Sequence, residues 1–255
     1  MKIAVLGLGE AGSAIAADLA AAGLTVAAWD PKPKHVPPGV TLTATDQAAI
    51  NQAEVVLSVN LAAIAVEVAR SALPALTEGQ VYADLNTASP GVKRAIAEML
   101  RPSGALFADV ALLAPVPGRG LRTPTLASGP GANRFHDLLT PLGMPVTVLD
   151  APAGSAAAHK LVRSIFMKGL AAVMIECLEA AEQLDCEAWT REQLLTVIRD
   201  EMLIDRLVTG SRTHAARRVH EMEAAAQLLA EIGVTASMTE ATIERLEALS
   251  RRANV

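Results

Sequence analysis

The chain has 255 residues, of which 51% are hydrophobic and 2% aromatic, enough for at least one complete core built from Ala, Leu, Val and Ile. A formal net charge of -5 and an isoelectric point near 5.6 argue against nucleic acid or an anionic membrane as the main partner and leave a small diffusible molecule. The two cysteines, Cys177 and Cys186, have no companions at metal-ligand spacing, so neither a metal site nor a disulfide framework is expected. Met1-Lys2 leads straight into an apolar strand, and Glu10 and Asp18 interrupt the stretch after it. The start therefore resembles neither a signal peptide nor a membrane span, and a cytoplasmic location is expected.

Residues 3–6 form a short continuous apolar run, as a strand buried on both faces should, and residues 11–22 are good helix formers. Residues 25–29 read as a second strand. The alternation continues through strand 55–59, helix 63–73, strand 81–85, helix 90–100 and strand 106–110. Such alternation implies an α/β fold with a parallel, right-handed, doubly wound sheet. A strand at 125–127, a helix at 132–142 and a strand at 146–149 finish it, and Asp150-Ala151-Pro152 marks the boundary between a domain at 1–151 and another at 152–255.

From Ser155 no strand pattern survives. Residues 156–184 predict one helix about 45 Å long, apolar on most sides and therefore buried. The remaining 70 residues predict three or so helices, with Gly210 and Gly233 as punctuation and Thr239-Glu240 opening the last. That is little material to cover so long a helix, so a homodimer is expected, the partner's helices completing the burial.

Gly7-Leu8-Gly9-Glu10-Ala11-Gly12 is a G-x-G-x-x-G run between the first strand and the first helix, the context that dinucleotide binding requires. Gly7 permits the tight turn, Gly9 lets a pyrophosphate approach the backbone, and Gly12 lets the helix pack on the strand. The helix N-terminus offers N–H groups and a positive dipole end to that anion. Asp30, eighteen residues after Gly12, can accept the adenosine ribose hydroxyls and repels a 2′-phosphate, which favours NAD. Lys32 and Lys34 act the other way, so NADP stays open. The bland reading of the run is a structural glycine turn.

With these residues in place the chain resembles the β-hydroxyacid dehydrogenase superfamily, which includes 6-phosphogluconate and 3-hydroxyisobutyrate dehydrogenases. Asp84-Leu85-Asn86-Thr87-Ala88-Ser89-Pro90 is similar to the family's D-x-S-T-x-x-P segment, and Gly154-Ser155-Ala156-Ala157-Ala158-His159-Lys160 to its G-x-G-x-x-x-K. The resemblance implies an N-terminal Rossmann domain and an all-α substrate and dimerisation domain joined by the long helix. It also implies Lys160 as the catalytic acid/base and Thr87 beside the nicotinamide, with residues 58–61, Asn60 and Leu61 among them, lining the same crevice. His220 falls roughly where the family has a lysine that approaches the cofactor.

Two departures stand out. The family's D-x-P-V-S-G-G substrate loop is replaced by Asp109-Val110-Ala111-Leu112-Leu113-Ala114-Pro115-Val116-Pro117-Gly118, which lacks the serine, and the asparagine expected four residues after the lysine is Ser164. These changes look like a separate branch with a phosphogluconate-dehydrogenase-like C-terminal domain.

A lysine in a partly desolvated pocket can take a hydroxyl proton or return it, because burial lowers its pKa toward neutrality. Lys160, Ser164 and Lys168 recur at i, i+4 and i+8, one polar stripe on an otherwise apolar helix, which assigns Ser164 to catalysis and Lys168 to substrate. Each has a plainer reading: a snorkelling lysine, a hydroxyl bonded back to its own helix, and a solvated ammonium. Arg119 and Arg122 lie in a loop after a central strand, where a guanidinium fork can hold a substrate carboxylate or phosphate in place of the missing serine, or simply face solvent. Asp84 and Asp109 read equally well as carboxylates ordering loops at strand ends. The expectation is an NAD(P)-dependent oxidoreductase acting on a small anionic hydroxy or oxo compound. Its rivals are an imine reductase on the same fold, a non-catalytic redox-sensing module and a purely structural subunit.

Overall fold

Alternate residues of each central strand serve opposite faces of one sheet, so Ile3 and Val5 enter one core while Ala4 and Leu6 enter the other. The structure, a computed structural model, describes residues 1–252, and the chain divides into two compact units, Met1–Lys160 and Leu161 onward. In the first unit the strands are β1 (Lys2–Leu6), β2 (Thr25–Trp29), β3 (Val40–Leu42), β4 (Val55–Ser58), β5 (Val81–Asp84), β6 (Leu106–Leu112), β7 (Thr125–Ser128) and β8 (Val146–Val148). They form one sheet in the order β3-β2-β1-β4-β5-β6-β7-β8.

Helices cover both faces, as double winding requires. α1 (Glu10–Ala21) and α5 (Ala132–Leu139) bring Ile15, Leu19, Phe135 and Leu139 to one core. α2 (Asp46–Ile50), α3 (Ala65–Ala72) and α4 (Pro90–Leu100) bring Ile50, Val68, Ile96 and Leu100 to the other. The sheet departs from the parallel expectation in its last two strands. β7 pairs with β6 antiparallel, and β8 follows β7 in parallel. No helix separates β6 from β7, only a loop and a one-turn 3-10 segment at Gly120–Arg122, so the right-handed crossover that enforces parallel pairing is missing there.

Two elements were not expected from sequence. β3 is only three residues long and α2 only five, too short for a period to register. α2 carries a local signal all the same, since the Thr45 side chain accepts the Ala48 N–H as an N-cap.

α6 (Ser155–Gln183) is the predicted long helix, and its first turn belongs to the first unit. The second unit continues with α7 (Glu187–Ile198), α8 (Glu201–Thr213), α9 (Ala215–Glu231) and α10 (Ser237–Arg252), four helices among the described residues where three or so were expected. Gly210 does not punctuate them, because it lies inside α8. A Cβ there would stand 2.9 Å from Arg218 Nη2, so this glycine serves close approach of a side chain and not a chain break. Glu179 ties α6 to α10 by accepting Arg245 at 2.6 Å and Arg252 at 3.2 Å. Among the described residues no helix is long and apolar enough to cross a membrane.

Candidate functional site

Leu6 and Ser58, Ser58 and Asp84, and Asp84 and Asp109 are successive Cα partners across β1, β4, β5 and β6. The segments leaving these strands therefore gather along the carboxyl edge of the sheet, where open α/β folds take their ligands.

The glycine run leaves β1 at this edge. Gly7 has φ +107°, and a Cβ on it would stand 2.2 Å from Val59 O, while one on Gly12 would stand 2.0 Å from Gly7 O. Both positions thus need glycine for the turn itself. Among the described residues nothing lies within 4 Å of a would-be Cβ on Gly9, and as N-cap of α1 it contributes no side chain. Leu8 is buried, Glu10 is exposed and Ala11 is half-buried. Open space over Gly9, at an N-terminus with no side-chain cap, fits an approaching pyrophosphate.

Asp30 follows β2. Its Oδ2 accepts the Leu8 N–H at 2.7 Å and its Oδ1 the Lys32 N–H at 2.8 Å. The carboxylate read from sequence as a ribose acceptor therefore also braces the glycine run. Each oxygen keeps a further lone pair for a hydroxyl. Lys32 and Lys34 are both outside the core, Lys32 exposed and Lys34 exposed as well.

After β4 and β5 an amide network joins the two loops. The Asn60 N–H donates to Asn86 Oδ1 at 2.6 Å, and Asn60 Nδ2 and Asn86 Nδ2 donate to Ser58 Oγ at 3.0 and 3.2 Å. Asn60 Oδ1 is buried without a hydrogen-bond partner among the described residues, and Leu61 is 72% exposed. Beside this network Lys160 Nζ donates to Thr87 Oγ1 at 2.6 Å. The two residues that the motifs had set 73 positions apart thus meet.

The loop after β6 is placed differently. Arg119 and Arg122 are exposed, and Asp18 of α1 accepts the Leu121 N–H at 2.8 Å, so the segment that bears these arginines is fastened to α1.

In the second unit Ser164 and Lys168 converge on one acid that sequence reasoning did not assign to either. Ser164 Oγ donates to Glu221 Oε1 at 2.5 Å and Lys168 Nζ to the same oxygen at 3.0 Å. Burial lowers the Lys168 pKa, Glu221 opposes that shift, and the charges of Arg218 and Arg163 add to it. Burial likewise lowers Arg218, with Glu221 opposing. The signal for Glu221 was its place on the inward side of α9, one residue before buried Met222. His220 points the other way: it is exposed, with Nδ1 3.0 Å from Glu223 Oε2.

Sequence reasoning also missed Lys93, which shares the buried face of α4 with Pro90, Ile96 and Leu100 and is fully inaccessible. A lysine at that position of an apolar stripe was the available clue.

Comparison with known proteins gives consistent results. Residues 2–122 match the family model described as the NAD binding domain of 6-phosphogluconate dehydrogenase, and residues 181–249 match a domain of unknown function, DUF1932. A conserved hypothetical protein from Sinorhizobium meliloti 1021 is 30% identical, covering 97% of this chain and 87% of its own, with a TM-score of 0.78. Mycobacterium tuberculosis 3-hydroxyisobutyrate dehydrogenase, solved with L-serine, has a TM-score of 0.82 over 98% of this chain and 94% of its own; at 18% identity it shows the shared fold. An uncharacterized 28.5 kDa protein encoded in the 7S RNA 5′ region of Methanothermus fervidus is 29% identical over 149 residues. That match spans 56% of this chain and 55% of the relative, so the chain covers about half the length of this curated protein.

Proposed function

Because the chain belongs to the superfamily of 6-phosphogluconate and β-hydroxyacid dehydrogenases, we propose that it is an NAD(P)-dependent oxidoreductase whose Lys160 exchanges a proton with a small anionic hydroxy or oxo substrate. The observation that carries this reading is the 2.6 Å hydrogen bond from Lys160 Nζ to Thr87 Oγ1 at the sheet edge that also holds the glycine run. β1 and β5 are separated by β4 alone, which sets their loops about 10 Å apart.

The residues fit the cofactor. The N–H groups around Gly9 would take the pyrophosphate, Asp30 the ribose hydroxyls, and Asn60 and Thr87 the nicotinamide end, with the unpartnered Asn60 Oδ1 as an acceptor. Asp30 favours NAD over NADP by charge. When bound, the nicotinamide supplies the hydride acceptor or donor. Lys160 holds the proton at Nζ, with Thr87 Oγ1 fixing its direction, and gives it to or takes it from the substrate oxygen. The anionic substrate class rests on exposed Arg119 and Arg122, whose guanidinium forks suit a carboxylate or phosphate.

The homodimer belongs to this proposal. Val162, Phe166 and Val173 are 56%, 67% and 57% exposed and fall on one stripe of α6, an apolar face that a second copy of the helix fits.

Titration of the protein with NADH and NADPH, read by the fluorescence of Trp29 next to Asp30, tests the cofactor. Saturable binding of either supports the reading. A screen of hydroxy acids, oxo acids and cyclic imines with wild type and Lys160→Ala then tests the chemistry. Folded protein that binds neither dinucleotide overturns the enzyme reading, binding without turnover favours a sensing module, and turnover of cyclic imines alone makes it an imine reductase.

A further inference from the structure

Lys93 is a cation with no access to solvent, and it is enclosed by two acids that are equally inaccessible. Its Nζ lies 3.2 Å from Asp84 Oδ1 and 3.3 Å from Asp109 Oδ1, and donates to the Asp84 carbonyl oxygen at 2.7 Å. The two acids lie on adjacent strands and are partners in register. Burying three charges is costly, and an apolar side chain of similar volume is often at least as stabilising, so such a cluster is weak evidence for stability and better evidence for fixed geometry.

The cluster holds two arms of the site. Asp109 Oδ2 accepts the N–H groups of Gly154 and Ala157, both at 3.0 Å, which sets the first turn of α6 against β6. Ser128 Oγ reinforces this by donating to Asp109 Oδ2 at 3.1 Å while accepting the Ala156 N–H at 3.0 Å. Gly154, at φ +97°, lies so close to α4 that a Cβ would stand 2.8 Å from Pro90 O. On the other arm Asp84 Oδ1 accepts the Asn86 N–H at 2.8 Å, which orders the loop that bears Thr87. Lys160 comes three residues after Ala157. The Lys160–Thr87 bond therefore closes a ring whose opposite side is Asp84, Lys93 and Asp109.

We propose that Asp109, held by Lys93, is a positioning residue that sets the Lys160 ammonium against Thr87. This rests on the functional reading only in calling Lys160 the proton carrier; the positioning itself is independent of it.

The test measures acetylation of each lysine by a water-soluble N-hydroxysuccinimide acetate, resolved by peptide mass spectrometry across pH, with exposed Lys32 and Lys34 as internal standards. Thr87→Ala removes an acceptor from the ammonium, and Lys160 is expected to label about five- to tenfold faster at fixed pH. Asp109→Asn is expected to do the same, and the double variant no more than either alone, because both act through one contact. A merely structural Asp109 lowers the melting temperature without moving the Lys160 profile, which overturns the proposal. An additive double variant, or a Thr87→Ala protein that labels Lys160 as wild type does, overturns it as well. If Asp109→Asn does not fold, the milder Ser128→Ala is read against the same outcomes. The labelling uses neither dinucleotide nor substrate, so failure of cofactor binding and failure of this proposal are separate results.

Discussion

Asp18 and Leu121, 103 residues apart in sequence, meet through a 2.8 Å hydrogen bond from the Leu121 N–H to Asp18 Oδ2. The same carboxylate stands 1.9 Å from where a Cβ on Gly120 would sit, and Gly120 has φ +52°. The loop that replaces the family's serine loop is thus fastened to α1 at a point where only glycine fits. Asp18→Ala should cost about 1 kcal/mol, the carboxylate being solvent-exposed, and should speed tryptic cleavage at Arg119 and Arg122. Urea denaturation and a digestion time course check this; unchanged cleavage would show that the loop is held by other contacts.

The glycines separate folding from binding. Gly12→Ala puts a Cβ 2.0 Å from Gly7 O, so it should lower the melting temperature as well as weaken NADH binding. Gly9→Ala meets nothing within 4 Å among the described residues, so it should leave the melting temperature within a degree or so and still weaken binding about tenfold or more, by filling space meant for the pyrophosphate. Equal NADH affinity in wild type and Gly9→Ala would place the ligand elsewhere.

Asp30 does two things, and a substitution should separate them. Asp30→Asn removes the charge that opposes a 2′-phosphate and should raise NADPH affinity relative to NADH by about tenfold, about 1.4 kcal/mol. It should also cost stability, because Oδ2 accepts the Leu8 N–H and Oδ1 the Lys32 N–H. Parallel titrations with the two cofactors decide it, and an unchanged ratio assigns Asp30 to the brace alone.

At Lys168 the pH dependence has a definite sign. Burial holds its folded pKa below the usual 10.5, so between those two values the unfolded chain binds more protons than the folded one and stability rises with pH. The penalty is fully present below the folded value and fades as pH climbs toward 10.5. The melting temperature of wild type relative to Lys168→Met should therefore increase over that alkaline window, and a flat difference would count against the burial. Glu221→Gln, which leaves the ammonium and the Ser164 hydroxyl without their acid, should cost about 1–3 kcal/mol at neutral pH.

Phe166→Asp places a charge in the exposed stripe of α6. Sedimentation velocity should find wild type as a dimer and the variant shifted toward monomer, with its helical content kept. A monomeric wild type would remove the homodimer from the proposal.

The parts of this molecule legible in sequence are those where one residue answers to its neighbours along the chain. The glycine run, the buried strands and the long helix all follow from local period and backbone freedom, and α4 begins and ends at the residues expected, Pro90 and Leu100. The meeting of Thr87 with Lys160 came from the resemblance, since nothing in either segment specifies the other. What stayed hidden is decided by distant partners. Glu221 acquires Ser164 and Lys168 across 57 and 53 positions, and Lys93 is buried only because two neighbouring strands bring it carboxylates. The reversal at β7 depends on the absence of a crossover helix, which a strand pattern does not encode.

The two outer strands, β3 and β8, are three residues each, and a proline lies just before both: Pro38 two residues ahead of β3 and Pro145 immediately ahead of β8. A proline has no N–H to give, and three residues present few free backbone groups, so the rims of this sheet are poor templates for another strand. Self-association of the folded protein should therefore proceed without edge-to-edge strand pairing, and without the lag and seeding that mark fibril growth.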